Sequence, residues 1–192
     1  MSTSPASRSR RPAGTPIGGQ FAPEAHAEPE VALDPDADPS DQSPGSRREV
    51  ASNGIVRWYD ADGQLHRDGG PAVEHADGTT TWYQHGQLHR DDGPAVEWPD
   101  ATRWWYQHGQ IHRDDGPAVE FPDGAKAWLR HGQLHRDGGP AIERPGGYRE
   151  WHQHGDLHRD DGPAVEWPSG ATEFWVRGRR LTEDEFRQAS TD

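Results

Sequence analysis

Imidazole and carboxylate side chains recur along this chain at spacings that invite a metal reading. His85 and His89 stand four residues apart with Asp91 close behind, and His108, His112 and Asp114 repeat the arrangement. Two His and an Asp converging on one point would be a ligand set for zinc or nickel. A second set is ionic. Arg67, Arg90, Arg113, Arg136 and Arg159 recur with Glu74, Glu97, Glu120, Glu143 and Glu166, either as a cross-strand charge ladder or as a carboxylate strip able to dock a basic partner. A third is aromatic and unequal: His75, Trp98, Phe121, Arg144 and Trp167.

All of these groups return at a constant period of 23 residues, with Pro71, Pro94, Pro117, Pro140 and Pro163 marking the same point in each copy. A constant period means stacked copies of one small unit, none able to bury its apolar face alone. A catalytic site needs unequal residues in unequal roles. Here each His, Asp, Arg and Glu has siblings in equivalent surroundings, so no catalytic residue is assigned and the chain reads as non-enzymatic.

Thr81 to Ala101 shows the unit. Aromatic and β-branched residues sit in short runs bounded by Gly, Pro and Asp, which is strand-and-turn punctuation without a helical period. Asp62-Gly63 is a type I′ hairpin signal, and His85, His108, His131 and His154 take the Asp place in later copies, His tolerating positive φ better than most residues. A second turn follows at Pro99-Asp100-Ala101, Pro122-Asp123-Gly124, Pro145-Gly146-Gly147 and Pro168-Ser169-Gly170. Three columns are expected to face inward. They are Tyr59, Trp82, Trp105, Trp128, Trp151 and Phe174; Leu65, Leu88, Ile111, Leu134 and Leu157; and Val73, Val96, Val119, Ile142 and Val165.

On this pattern the metal reading weakens. An i, i+4 His pair is a ligand pair on a helix, and this one straddles a hairpin turn. With two strands per copy, equivalent residues lie roughly 9 to 10 Å apart, too far to share one ion. Neither a metal nor a cofactor is therefore expected.

The tract Trp82-Tyr-Gln-His-Gly-Gln-Leu-His-Arg-Asp-Asp-Gly-Pro94, repeated over residues 57 to about 178, resembles the MORN repeat. That unit is also a 23-residue hairpin, in which an aromatic residue precedes Asn-Gly and a His-Gly-x-Gly stretch follows. In this chain Asn becomes His or Asp, and His-Gly-x-Gly becomes His-Arg-Asp-Asp-Gly-Pro, so the resemblance is to a divergent bacterial or phage variant. It implies an extended antiparallel meander and an interaction-scaffold role. Some bacterial relatives of that type are labelled antitoxins, and hairpin-repeat modules of cell-wall-binding type use exposed rings for sugars. The segment Arg10 to Ala22 resembles a short N-terminal segment that recurs on otherwise unrelated actinobacterial proteins, which bears on source more than on role.

Composition sets the remaining bounds. Only 30% of residues are apolar, yet nine Trp supply large buried areas from few positions. The absence of Cys excludes disulfides and thiolate sites. No apolar run is long enough for a membrane span or a signal-peptide core, so a cytoplasmic location is expected. Residues 51 to 192 hold 15 Lys and Arg against 25 Asp and Glu, a net of −10 within a whole-chain charge of −13. That balance disfavours nucleic acid and anionic membranes and favours a basic protein partner.

The sequence thus predicts an all-β fold: a single-layer antiparallel meander of about five hairpin repeats over residues 51 to 181. A disordered tail over residues 1 to 50, supplying no column residue, precedes it. In residues 182 to 192, Thr182 and Glu185 form a capping box with Leu181 stapled onto Phe186, starting a short helix that covers a sheet edge otherwise open to self-association. The candidate interaction surface comprises Asp92, Asp115, Asp161, Glu97, Glu120, Glu166, Trp98, Phe121 and Trp167. A basic protein is the expected partner, with an antitoxin-type masking role and a sugar-binding module as alternatives.

Overall fold

The computed structural model describes residues 45–189 and the backbone of Ala32–Leu33. The chain folds as an antiparallel meander. Fourteen short strands follow chain order in one sheet, and four further two-stranded ladders close the hairpins. The helix Glu183–Ala189 ends the array.

One copy shows why the strands are short. Thr80–Thr81 runs through Trp82 into Tyr83–Gln84, turns at His85-Gly86 and returns as Gln87–Leu88. The return strand then leaves the ladder for a loop and rejoins it as Val96–Glu97, with Val96 opposite Thr81 and Tyr83 opposite Leu88. The two registers meet at Trp82. Its N–H donates to the Ala95 carbonyl at 2.7 Å, while its own carbonyl accepts the His89 N–H at 3.1 Å. Trp58, Trp105, Trp128 and Trp151 occupy the same junction in their copies, bonded in the same way.

Two expectations are corrected at this level. The junction residue of the first copy is Trp58, not Tyr59, because the first turn is one residue longer. Asp60 N–H meets the Gln64 carbonyl at 2.8 Å around Ala61-Asp62-Gly63, and only Gly63, at φ 77°, is left-handed there. It is a three-residue loop rather than a type I′ turn. The type I′ reading holds for the later copies, where His85 and Gly86 both take positive φ, 46° and 75°.

The three columns also do not share one face. Val96 pairs with Thr81 and Trp104, so Val, the half-buried Leu column and Trp104 lie together, and Val119, Ala127, Leu129 and Ile142 form a buried cluster with Trp104, Ile111 and Leu134 against it. Trp82 follows Thr81 and therefore points to the opposite face, the face of Glu97, as strand alternation requires.

The array begins earlier than residue 51. Arg47–Val50 pairs along its whole length with Val56–Tyr59, and Ala32–Leu33 pairs with Val50 and Glu49. Residues 1–31 and 34–44 of the stretch assigned to the tail, including Arg10 to Ala22, lie outside the described residues. At the other end the capping box forms: Thr182 N–H donates to Glu185 Oε2 at 2.7 Å and Glu185 N–H to Thr182 Oγ1 at 3.3 Å. Phe186 is buried with its ring 4.9 Å from that of Phe174.

Candidate interaction face

The loop that interrupts each return strand, Arg90 to Pro94 in the second copy, is held down by its arginine. Arg90 lies over the Trp82 ring with Cζ 4.1 Å from the centroid, and Arg67, Arg113, Arg136 and Arg159 cover Trp58, Trp105, Trp128 and Trp151 at 3.7–4.2 Å. The same guanidinium closes the loop by donating to the carbonyl of its proline, at 3.2 Å for Arg90 and Pro94. It also reaches the Glu seven residues on, at distances from 2.8 Å for Arg136–Glu143 to 3.8 Å for Arg113–Glu120. The expected cross-strand Arg–Glu ladder is thus replaced by an ion pair between loop and strand. A Cβ on the glycine before each proline would press on the guanidinium; on Gly116 it would stand 2.9 Å from Arg113 Cζ.

Each loop carries its acids outward. Arg90, Arg113 and Arg159 donate through Nε to Asp92, Asp115 and Asp161 at 2.9, 2.8 and 2.6 Å, and these hydrogen bonds hold the three carboxyls below their ordinary pKa. Even so, their side chains are 82–83% exposed. Asp91, Asp114 and Asp160, 75–79% exposed, lie 3.1–3.3 Å from Nε2 of the buried His89, His112 and His158. Clefts of about 250–370 Å³ separate successive loops, one of them between Arg90-Asp91-Asp92 and Arg113-Asp114-Asp115 and lined by Trp105.

The His columns interlock in a way that comparing like with like does not reveal. Nδ1 of the first His of one copy accepts the backbone N–H of the turn residue of the next, 19 residues on: His85 to His66, His108 to His89, His131 to His112 and His154 to His135, all at 3.1–3.2 Å. The paired rings lie 4.4–4.7 Å apart, centroid to centroid. Arg177 takes the turn position for His158. At the first junction a carboxylate joins, with Asp60 Oδ2 3.1 Å from His85 Nδ1. Asp60, His66 and His85 each offer a ligand atom, all within 4.8 Å of one another, and they are the one such trio among the described residues.

The nine candidate residues divide between two faces. Asp92, Asp115, Asp161, Glu97, Glu120 and Glu166 belong to the loop face. Trp98, Phe121 and Trp167 lie with the valines, where Trp98 meets Trp104 edge-on at 5.4 Å, Trp167 meets Tyr148 at 6.0 Å, and Phe121 is 38% exposed. Sequence reasoning missed the column opposite the valines: Arg57, Thr81, Trp104, Ala127, Glu150 and Glu173. Its signal was there from Thr81 onward, as a position at the 23-residue period whose residue type never repeats until the end; Arg57 stands 24 residues before Thr81 because of the longer first turn. Glu150 of that column joins a part-buried polar trio, accepting from Tyr148 and lying 2.8 Å from Nε2 of the buried His152. Burial works to raise the Glu150 pKa, and the His152 and Tyr148 hydrogen bonds more than offset it.

No protein-family model matches the chain, and no curated protein shows significant sequence similarity to it. Among the described residues no helix is long and apolar enough to cross a membrane.

Proposed function

We propose that the chain is a non-enzymatic repeat scaffold that docks a basic protein surface along its loop face, and that the repeats are of a divergent MORN-like type. The observation that carries the docking reading is the row of exposed Asp91/Asp92, Asp114/Asp115 and Asp160/Asp161 side chains, set at repeat spacing on loops anchored from beneath by Arg on Trp. Anchoring keeps the carboxylates in fixed positions, which lowers the ordering entropy lost on association. The Glu column contributes less charge to a partner, since each Glu faces an Arg already. An antitoxin or immunity-type protein masking a basic toxin is one instance of this class. A sugar platform has less support, because Trp98 and Trp167 are half-buried against neighbouring rings.

The test is the affinity of a partner recovered with the full chain, measured across salt and in two variants. Docking through the loops predicts binding that weakens steeply as ionic strength rises above about 0.15 M, and weakens further in Asp92→Asn/Asp115→Asn/Asp161→Asn. Salt-insensitive binding abolished by Trp98→Ala/Trp167→Ala would rule the reading out.

A further inference from the structure

We infer that Asp60, His66 and His85 form a binding site for one divalent transition-metal ion of the zinc class. Sequence spacing argued against any metal because like columns lie too far apart. The structure joins unlike columns instead, the strand His of one copy and the turn His of the next. Asp60, which stands where the later copies carry Gln84, Gln107 and Arg130, adds a carboxylate to that pair.

One edge of the trio already has the span of a small tetrahedral ion, and the third ligand atom lies within 4.8 Å of the other two. Ligand atoms about 2.0–2.1 Å from zinc stand roughly 3.3 Å from one another, and Asp60 Oδ2 lies 3.1 Å from His85 Nδ1. Asp60 is fixed from its other oxygen, with Oδ1 accepting the N–H groups of Asp62 and Gln64 at 3.1 and 2.9 Å. His66 is oriented as metal-bound imidazoles are, one ring nitrogen on a carboxylate: its Nε2 lies 3.1 Å from Asp68 Oδ1. This leaves Nδ1 facing the turn, where it accepts the His85 N–H at 3.2 Å. For an ion to take that lone pair, the His85 N–H must swing off the line from Nδ1 and pass to water, a movement open to a surface turn whose His85 side chain is 72% exposed. The proton between His85 Nδ1 and Asp60 moves to His85 Nε2 by exchange with water. Open positions on the ion are left to water or to a donor from a bound partner.

The other copies provide built-in controls. His89–His108, His112–His131 and His135–His154 stack in the same way. At the place of Asp60 they carry Gln84, Gln107 and Arg130, so each offers two ligands where the first offers three.

The experiment is titration calorimetry of the untagged full-length chain with Zn²⁺ in a non-chelating buffer. One ion per chain is expected, with a dissociation constant on the order of micromolar or tighter. His85→Asn should abolish the site while leaving the hairpin folded, because Asn accepts positive φ and keeps the backbone N–H. Asp68→Asn should weaken binding by about 10- to 100-fold through the orientation of His66, and His108→Asn should leave it unchanged. Absence of saturable binding below about 100 µM, or equal loss in His85→Asn and His108→Asn, would overturn the assignment.

Discussion

Arg113 shows how much one residue of the repeat does. Its planar group covers Trp105, closes the loop onto the Pro117 carbonyl and holds Asp115. Lysine keeps the charge but has neither the flat face nor the fork. Arg113→Lys is therefore expected to lower stability by about 1–2 kcal/mol, read as a shift of the urea midpoint. Gly116→Ala should cost a comparable amount by pushing the guanidinium off the ring, and the two changes together should fall well short of additive because they act on one contact. Ala101 points the other way. It sits at φ 70°, while Gly78, Gly124, Gly147 and Gly170 hold the equivalent place at 83–95°. A side chain there is strained by about 1 kcal/mol or more, so Ala101→Gly should stabilise the array by about that amount.

At the scale of elements, the strand Arg47–Val50 makes the clearest prediction. It covers the edge of Val56–Tyr59, with Arg47 and Arg48 lying over the Tyr59 and Trp58 rings at 4.7 and 5.7 Å. Removing residues 1–50 should lower the thermal midpoint and promote self-association through the bared edge, whereas removing residues 1–31 alone should do neither. A midpoint unchanged by both deletions would show that this strand adds nothing. The hairpin turns, the period and the capping box were legible in the sequence because each is a local signal: His-Gly, Pro71 to Pro163, Thr182 with Glu185. The two-faced arrangement of Trp82 and Val96 was not. The tract from Leu88 to Val96 carries no mark that distinguishes a strand from a strand interrupted by a loop, and the interruption shifts the pairing by six residues between Leu88 and Val96. The first turn hid its extra residue for a similar reason, since Asp62-Gly63 alone suits turns of either length. Of the candidate surface, the exposed acids were readable from charge and period. Their separation from Trp98, Phe121 and Trp167 was not, because it follows from that shift.

For the whole molecule, acid is the informative variable. Backbone hydrogen bonds, from Gln64 to Asp60, Thr79 to Asp77 and Thr102 to Asp100, hold those carboxyls below their ordinary pKa, as Arg does for Asp92, Asp115 and Asp161. A carboxyl whose pKa is lower folded than unfolded adds stability above the unfolded value of about 4, and that contribution disappears as pH falls through the folded value. These six groups should therefore make the urea midpoint decline progressively below about pH 4, and Asp77→Asn/Asp100→Asn should flatten part of that decline. The His interlock has a different kind of consequence. The first His of each copy is completed only by the copy that follows, so the array has a direction, and Arg177 serves as its terminus by giving His158 the N–H that no further copy supplies. Copy number is then a heritable length setting. Excision of residues 99–121 joins Trp98 to Pro122 and recreates every junction, and such a chain should fold and unfold cooperatively one step shorter. Truncation after residue 170 should not, because it removes the terminus rather than a link. Gene rearrangements in multiples of one period can lengthen or shorten the loop face while preserving the His interlock and the Arg-on-Trp contact of each copy.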